Sequence, residues 1–139
     1  MTTYLSLGSN LGDKEQNLNL AIEQIGRLVG EVVKRSSFYY SEPWGFKSDN
    51  SFVNICIAVE TSLSPLDLLH TTQQIETMLG RKHKSTRRGG KPQYSDRVID
   101  IDILLYGEET IDLPELKIPH PLMQKRDFVM IPLMEIQDK

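Results

Sequence analysis

Residues 97–106 read Arg-Val-Ile-Asp-Ile-Asp-Ile-Leu-Leu-Tyr, so two acids stand inside a run of β-branched and aliphatic residues. This composition predicts a strand. Because side chains alternate between the two faces of a strand, Asp100 and Asp102 point the same way, with Cα atoms roughly 6.6 Å apart. The opposite face carries three residues expected in the core: Ile99, Ile101 and Ile103.

The paired carboxylates of Asp100 and Asp102 suggest a metal site. Two parallel carboxylates repel each other unless a cation lies between them or they reach solvent. Mg²⁺ favours hard oxygen ligands, takes one or two protein carboxylates and completes its shell with water and phosphate oxygens. The alternative is a half-exposed strand with two solvated acids, and the Asp-x-Asp pattern alone does not decide between these readings.

The segment before this strand, residues 81–97, is strongly basic. It holds 7 of the 16 Lys and Arg residues of a chain whose formal net charge is −3. Gly89, Gly90 and Pro92 oppose regular structure there, so we expect a loop. A cationic loop leading into paired carboxylates is the arrangement expected for a polyphosphate held by Mg²⁺ and by Arg or Lys. A solvated charged loop or a nucleic-acid contact is the alternative.

Length and composition narrow the class of protein. The 139 residues suffice for one domain, residues 1–139. The chain has an ordinary share of hydrophobic residues, 39%, and no apolar run approaches the roughly 20 residues of a membrane span. No secretory signal is evident, and the single cysteine, Cys56, lies in an apolar run, so we expect a buried thiol and a reducing cytoplasm. The scattered histidines, without a second thiol, argue against zinc.

The remaining patterns predict alternating strands and helices. Hydrophobic periodicity and capping residues give, in order, a strand, a helix, two strands and a helix, over residues 4–7, 13–29, 32–40, 52–60 and 64–79. Residues 8–12 read as a turn, and Gly30 and Gly80 as helix ends. With the strand at residues 97–106, this order predicts an α+β fold of ferredoxin-like type, with helices packed on a mostly antiparallel sheet.

The second predicted helix carries one acid close to its apolar side. Ser64 is its expected cap, with Pro65 at the first helical position. Glu76 is either a partnered buried acid or a residue at the edge of the buried face. The expected apolar side consists of Leu66, Leu69, Ile75 and Leu79.

Six elements together resemble the family of 6-hydroxymethyl-7,8-dihydropterin pyrophosphokinases, which transfer diphosphate from ATP to a pterin alcohol in folate synthesis. The Arg-x-x-Asp-x-Asp element is the most specific of them. In family order, the elements are Leu7-Gly8-Ser9-Asn10-Leu11, Ser36-Ser37-Phe38-Tyr39, Phe52-Val53-Asn54, Ile75-Glu76 with Gly80-Arg81, Arg97-x-x-Asp100-Ile101-Asp102-Ile103-Leu104, and Pro119-His120-Pro121 with Arg126-Asp127-Phe128.

The resemblance implies a metal site and a pterin pocket on a ferredoxin-like fold. Two Mg²⁺ ions would bridge the phosphates of ATP, with Asp100 and Asp102 as ligands. The pterin ring would stack between Phe52 and Phe128, with Asn54 at the ring edge. The implied substrate contacts are completed by Asp100 and by the pocket-loop residues Ser41, Pro43 and Trp44.

The resemblance also implies nucleotide contacts and a catalytic set. The nucleotide contacts are Gln73, Glu76, Arg81, Arg97, Ile103, His120 and Arg126, and the catalytic residues are Arg81, Arg97, Asp100 and Asp102. ATP and 6-hydroxymethyl-7,8-dihydropterin would be the small-molecule substrates of a monomer that binds neither nucleic acid nor membrane; fusion to, or partnership with, neighbouring folate enzymes stays open. The chain departs from the family in its longer basic loop, which lacks a tryptophan, and in Phe52, where tyrosine is common.

Two other functions fit parts of the pattern. A ferredoxin-like sheet with a basic loop could hold RNA, although the aromatics lack the usual RNA-recognition arrangement and the net charge is negative. Another enzyme with an Asp-x-Asp element, such as a nucleotidyltransferase, could use the same metal chemistry on a different acceptor.

Overall fold

The structure, a computed structural model, describes residues 1–41, 51–80 and 98–137, together with the backbone of residues 87–88 and 91–92. The strands of this described part are, in chain order, β1 (Thr2–Ser9), β2 (Gly30–Arg35), β3 (Tyr39–Ser41), β4 (Phe52–Thr61), β5 (Arg87–Arg88), β6 (Lys91–Pro92), β7 (Asp100–Tyr106), β8 (Ile111–Asp112) and β9 (Lys117–Ile118). The central sheet has the order β2-β4-β1-β7, and β3 extends it by pairing with β4. All these pairings are antiparallel.

Three α-helices accompany the sheet in the described residues: α1 (Lys14–Leu28), α2 (Pro65–Met78) and α3 (Asp127–Ile136). The predicted caps are present. The Asp13 carboxylate accepts a hydrogen bond from the Gln16 amide at 3.2 Å, and Ser64 Oγ accepts one from the Asp67 amide at 3.2 Å. Gly80 follows α2 with φ of 121°, a conformation that favours glycine. The predictions for these two helix starts are confirmed.

Helices cover both faces of the sheet. Residues of α1 and α2 share one hydrophobic cluster with Leu5, Leu7 and the buried isoleucines of β7. Residues of α3 share the other cluster with Cys56, Ala58 and Leu104. Because strand side chains alternate, these clusters lie on opposite faces of the same sheet. The predicted α+β class, with helices on an antiparallel sheet, is confirmed.

Two strand boundaries differ from the prediction. Residues 32–40 form two strands instead of one, because Ser36 interrupts the ladder: its hydroxyl accepts a hydrogen bond from the Cys56 amide at 2.9 Å. β1 continues through Gly8 and Ser9, for which the sequence predicts a turn. Both residues still pair with β4. Two residues of the predicted turn therefore belong to the end of the first strand.

The buried side of α2 was predicted incorrectly at its start. Leu66 is 37% exposed, whereas Leu68 is fully buried. Buried residues of α2 follow a helical repeat in which two positions are polar: Leu68, Thr72, Ile75 and Glu76. Because two of the buried positions are polar, the spacing of apolar residues alone does not identify this buried face.

The basic segment contains a short ladder where we expected only a loop. β5 pairs antiparallel with β6, with Arg87 opposite Pro92 and Arg88 opposite Lys91. Pro92 is tolerated at the end of an edge strand. Within the described residues, no helix is long and apolar enough to cross a membrane.

Candidate active site

The candidate site lies on the face of the sheet against which α3 packs, in the part of that face that α3 does not bury. On β7, Asp100, Asp102 and Leu104 share this face. Leu104 is fully buried, while both acids are partly exposed. Ile101 and Ile103, on the other face, are each 4% exposed. The predicted alternation of acids and core isoleucines along this strand is confirmed.

A row of three residues crosses the sheet at this site. Gly8 of β1 pairs with Asn54 of β4 on one side and with Asp100 of β7 on the other. Adjacent strands are about 4.8 Å apart, so the Cα atoms of Asn54 and Asp100 are about 10 Å apart. Ser6 occupies the same place in the next row, between Cys56 and Asp102. The amide expected to bind the pterin and the acids expected to bind metal therefore share one face.

Gly8 allows the Asn54 side chain to lie across β1. A Cβ atom at position 8 would lie 2.6 Å from Asn54 Oδ1 and 3.5 Å from Phe52 Cδ1. The Asn54 Nδ2 donates to Ser41 Oγ at 3.1 Å, which holds the amide in place, and Asn54 is only 3% exposed. Ser41, Phe52 and Asn54, three of the predicted substrate residues, thus lie together. Gly8 is a site residue that sequence reasoning missed, although a glycine inside a strand signals a close approach.

His120 faces Asp102 from the segment after β9. Its backbone amide donates to the Leu104 carbonyl at 3.1 Å, which anchors it beside β7. Its Nδ1 accepts a hydrogen bond from the Leu122 amide at 3.2 Å, so in the neutral ring the proton is on Nε2. The Nε2 atom lies 4.0 Å from Asp102 Oδ1.

Burial and a neighbouring cation make the neutral form of His120 more stable. Desolvation lowers the pKa of His120, and the positive charge of Arg126 lowers it further, while Asp100 opposes both. At neutral pH the ring therefore offers an Nε2–H donor toward the acids. A neutral donor of this kind suits a phosphate oxygen.

Arg126 and Phe128 close the site at the start of α3. The guanidinium carbon of Arg126 lies 5.6 Å from the centroid of the Phe128 ring, a cation–π distance. Phe128 is half-buried against the cluster formed by α3. Arg126 thus brings a positive charge close to His120 and to the aromatic side chain expected to bind pterin.

The predicted nucleotide residues of α2 and β7 occupy three different environments. Gln73 lines a shallow surface cavity of about 540 Å³ together with other residues of α2. Glu76 is 1% exposed, and its Oε2 accepts a hydrogen bond from the Ile101 amide at 2.7 Å. It is therefore the partnered buried acid, not the edge residue. Ile103 is buried in the core under α1 and α2.

Four predicted site residues lie outside the described residues: Pro43, Trp44, Arg81 and Arg97. Among the described residues, the structure brings together Asp100, Asp102 and His120, with Asn54 on the same face of the sheet. Within that part of the chain, no cluster of three or more His, Cys, Asp or Glu residues could hold a metal ion. Two hard carboxylates on one face still suit Mg²⁺, which takes its other ligands from water and phosphate.

Solved structures with the same fold include longer chains. The structure of Plasmodium falciparum HPPK-DHPS wild type with SDX-DHP matches with a TM-score of 0.75 at 17% identity, over 97% of this chain and 39% of that chain. A P. falciparum HPPK-DHPS triple mutant with STZ-DHP matches with a TM-score of 0.74 at 15% identity, with the same coverage. This chain spans about two fifths of their length. The likeness confirms the predicted ferredoxin-like fold.

Sequence relatives agree with the fold. A 2-amino-4-hydroxy-6-hydroxymethyldihydropteridine pyrophosphokinase of Porphyromonas gingivalis is 49% identical over 134 residues, 96% of this chain and 88% of the relative. The protein of that name from Aquifex aeolicus is 41% identical over 136 residues, 98% of this chain and 80% of the relative. The model of the 7,8-dihydro-6-hydroxymethylpterin-pyrophosphokinase family matches residues 4–138. The chain therefore belongs to this family of folate-biosynthesis pyrophosphokinases, as its motifs predicted.

Proposed function

We propose that this chain transfers the diphosphate of ATP to the hydroxymethyl group of 6-hydroxymethyl-7,8-dihydropterin in a Mg²⁺-dependent reaction. One observation carries the proposal within the family: Asn54, Gly8 and Asp100 form one row across the sheet, with Asp102 beside it. This places the Cα atom of Asn54 about 10 Å from that of Asp100, as estimated from strand spacing, with both side chains on one face of the sheet. A pterin on the amide would direct its hydroxymethyl group toward the acids.

Asp100 and Asp102 are the residues that would hold Mg²⁺. We infer two ions, as the family resemblance implies, with their other ligands supplied by the nucleotide and by water. When bound, Mg²⁺ neutralises phosphate charge and orients the triphosphate. The two aspartates would hold the ions in fixed positions, because both lie on a strand that pairs with β1 on one side and contacts α2 on the other.

The pterin would bind through one amide and two aromatic rings. Asn54 offers a donor and an acceptor to the amide-like edge of the ring, and Ser41 holds its orientation. Phe52 and Phe128 offer faces for stacking. Since Arg126 lies over the Phe128 ring, we infer that the pterin uses the other face of that ring or displaces the guanidinium. Pro43 and Trp44 complete this pocket in the proposal.

The polyphosphate would be held by cations and by neutral donors. His120 lies beside Asp102, and Arg126 is close to His120. We assign Arg81, Arg97, Gln73 and Ile103 to the nucleotide on the family resemblance. The hydroxyl oxygen of the pterin attacks the β-phosphorus of ATP and loses its proton. The bond between the β-phosphorus and the oxygen bridging to the α-phosphate breaks, so AMP leaves and the pterin carries the diphosphate. Positioning and charge stabilisation suffice for such a direct transfer.

We assign this activity to a single domain, residues 1–139, that acts as a monomer. The two hydrophobic clusters share one sheet, and the acids, Asn54 and His120 all come from that sheet or from segments packed beside it. A site assembled within one chain needs no second copy. Sedimentation at micromolar protein concentration should therefore give one species with the mass of one chain, 15.9 kDa.

The test is AMP formation that depends on pterin, ATP and Mg²⁺. Asp100→Ala and Asp102→Ala should each lower kcat by about 10²-fold or more, equivalent to about 2.7 kcal/mol of transition-state stabilisation. Each should cost the fold little stability, since each also relieves carboxylate repulsion. Asp112→Ala is the matched control, because that acid is exposed and pairs with Lys117 on the β8–β9 hairpin. Near-normal turnover in both site variants would contradict the proposal.

A further inference from the structure

Glu76 is a buried acid whose carboxylate reaches the strand between the two aspartates. It lies in α2 with 1% of its surface exposed, and its Oε2 is 2.7 Å from the amide nitrogen of Ile101. Ile101 separates Asp100 from Asp102. A buried carboxylate is costly unless it is hydrogen-bonded, so an acid at this position has to offset a penalty that an apolar side chain would avoid. The hydrogen bond from the Ile101 amide offsets part of that penalty.

The contact acts on the outer edge of the sheet. β7 is the last strand in the order β2-β4-β1-β7. In an antiparallel ladder, successive residues turn their amides alternately toward and away from the partner strand. Since the Ile101 amide turns toward α2, the amides of Asp100 and Asp102 turn toward Gly8 and Ser6 of β1. The three residues of the Asp-x-Asp element are thus held from both sides.

We propose that Glu76 is a positioning residue that fixes the Asp100 and Asp102 carboxylates at the spacing a divalent cation requires. The inference rests on the proposed function, because it gives Glu76 a role in the metal site proposed there. It gives Glu76 a role other than the nucleotide contact implied by family resemblance. Glu76 is 1% exposed and accepts from the β7 backbone, whereas Gln73, one turn earlier, lines an open surface. Partners behind metal ligands commonly determine ligand geometry and affinity.

Three substitutions separate the hydrogen bond from charge and from packing. Glu76→Gln keeps an acceptor for the Ile101 amide and removes the charge. Glu76→Asp keeps the charge but shortens the side chain by one methylene, and Glu76→Leu removes the acceptor. Ile75→Val is the matched control, because Ile75 is fully buried in the same helix. The substitution removes one methyl group from the core and leaves the contact between Glu76 and Ile101 unchanged.

Two readouts do not depend on turnover. The first is hydrogen exchange of the Ile101 amide in the free protein, and the second is the Mg²⁺ concentration needed for half-maximal binding of an unhydrolysable ATP analogue. We expect Glu76→Asp and Glu76→Leu to speed exchange at Ile101 and to raise that Mg²⁺ concentration by about 10-fold or more. Glu76→Gln and Ile75→Val should leave both near the wild-type values. Turnover should follow through kcat, with the pterin KM within about twofold.

The outcomes distinguish this inference from the proposed function. Normal Mg²⁺ dependence in Glu76→Asp, despite faster exchange at Ile101, would overturn the positioning role and leave the proposed function intact. A Glu76→Gln variant as impaired as Glu76→Leu would also overturn it, because charge and not the hydrogen bond would then matter. Absence of Mg²⁺-dependent nucleotide binding in the wild-type protein would refute the proposed function, and the inference with it. If Glu76→Leu does not fold, Glu76→Asp decides.

Discussion

A single methyl group at position 8 should disrupt pterin binding while leaving the fold intact. In Gly8→Ala, the new Cβ would lie 2.6 Å from Asn54 Oδ1, closer than such atoms can approach, so the Asn54 amide must move. Its movement breaks the 3.1 Å hydrogen bond to Ser41 and misaligns the groups that bind the pterin edge. The backbone of Gly8 does not need glycine, because its φ lies outside the left-handed region.

The size of the effect follows from the contacts that are lost. One or two hydrogen bonds of about 1–1.5 kcal/mol each correspond to a rise in pterin Kd of about 10- to 100-fold. The free energy of unfolding should change by only about 1 kcal/mol, since the lost Asn54–Ser41 bond is partly offset by lower entropy of the unfolded chain. Titration calorimetry of the pterin, with an unhydrolysable ATP analogue and Mg²⁺ present, measures the Kd.

Two controls make the prediction specific. Gly26→Ala places a methyl group in α1, where a Cβ meets nothing within 4 Å, and it should leave the pterin Kd unchanged. In an Asn54→Ala background, Gly8→Ala should alter the Kd by less than about twofold, because the clashing amide is gone. Wild-type pterin affinity in Gly8→Ala, or an equal loss in both backgrounds, would show that the clash with Asn54 does not control pterin binding.

Three further predictions test other parts of the structure. Burial raises the pKa of the Cys56 thiol to about 12, so at pH 8 the folded protein should not react with a thiol reagent until denaturant exposes Cys56; rapid reaction in the native state would contradict this. The pKa of His120 is lowered from its ordinary value of 6.5, so the neutral ring is the form that stabilises the fold. The NMR titration midpoint of His120 in the free protein should lie below 6.5, and the stabilisation should be lost as the pH falls from 6.5 toward the pKa of the folded state. A midpoint above 6.5 would contradict this prediction. Phe128→Ala should raise the pterin KM by up to about 10-fold with little change in kcat, since stacking is present in ground and transition states alike; a fall in kcat alone would argue against stacking.

The strand that carries the acids could be predicted because its pattern has one physical interpretation. Acids and isoleucines alternate, and a strand with one buried face is the structure that satisfies both. The helix starts were similarly predictable, since Asp13 and Ser64 are capping residues followed three positions later by the amides they accept from. The motifs shared with the family then predicted the reaction, which the alternation of acids and isoleucines alone did not determine.

The errors arose where polar side chains replace apolar packing or backbone pairing. Ser36 uses its hydroxyl to bind the Cys56 amide, and this break between β2 and β3 leaves no mark in a β-branched run. Thr72 and Glu76 occupy the buried side of α2, so apolar spacing pointed to Leu66 instead of Leu68. Such partners are tertiary, and a single segment of sequence carries no information about them.

The site could be predicted as a set of residues but not as a geometry. Motif positions named Asn54, Asp100 and His120, yet the row that joins Asn54 to Asp100 depends on the register of three strands. Gly8 matters because of what lies 2.6 Å away on a neighbouring strand. The His120 tautomer likewise depends on the Leu122 amide, a contact set by the turn that follows β9.

The most direct test is a crystal structure of the ternary complex with an unhydrolysable ATP analogue and the pterin, in which Mn²⁺ replaces Mg²⁺ to give an anomalous signal. We predict metal peaks about 2.1 Å from carboxylate oxygens of both Asp100 and Asp102, bridging to phosphate oxygens. The pterin should lie on the Asn54 side of the same face. A triphosphate bound away from these acids, with no metal on either, would show that Asp100 and Asp102 are not the metal site.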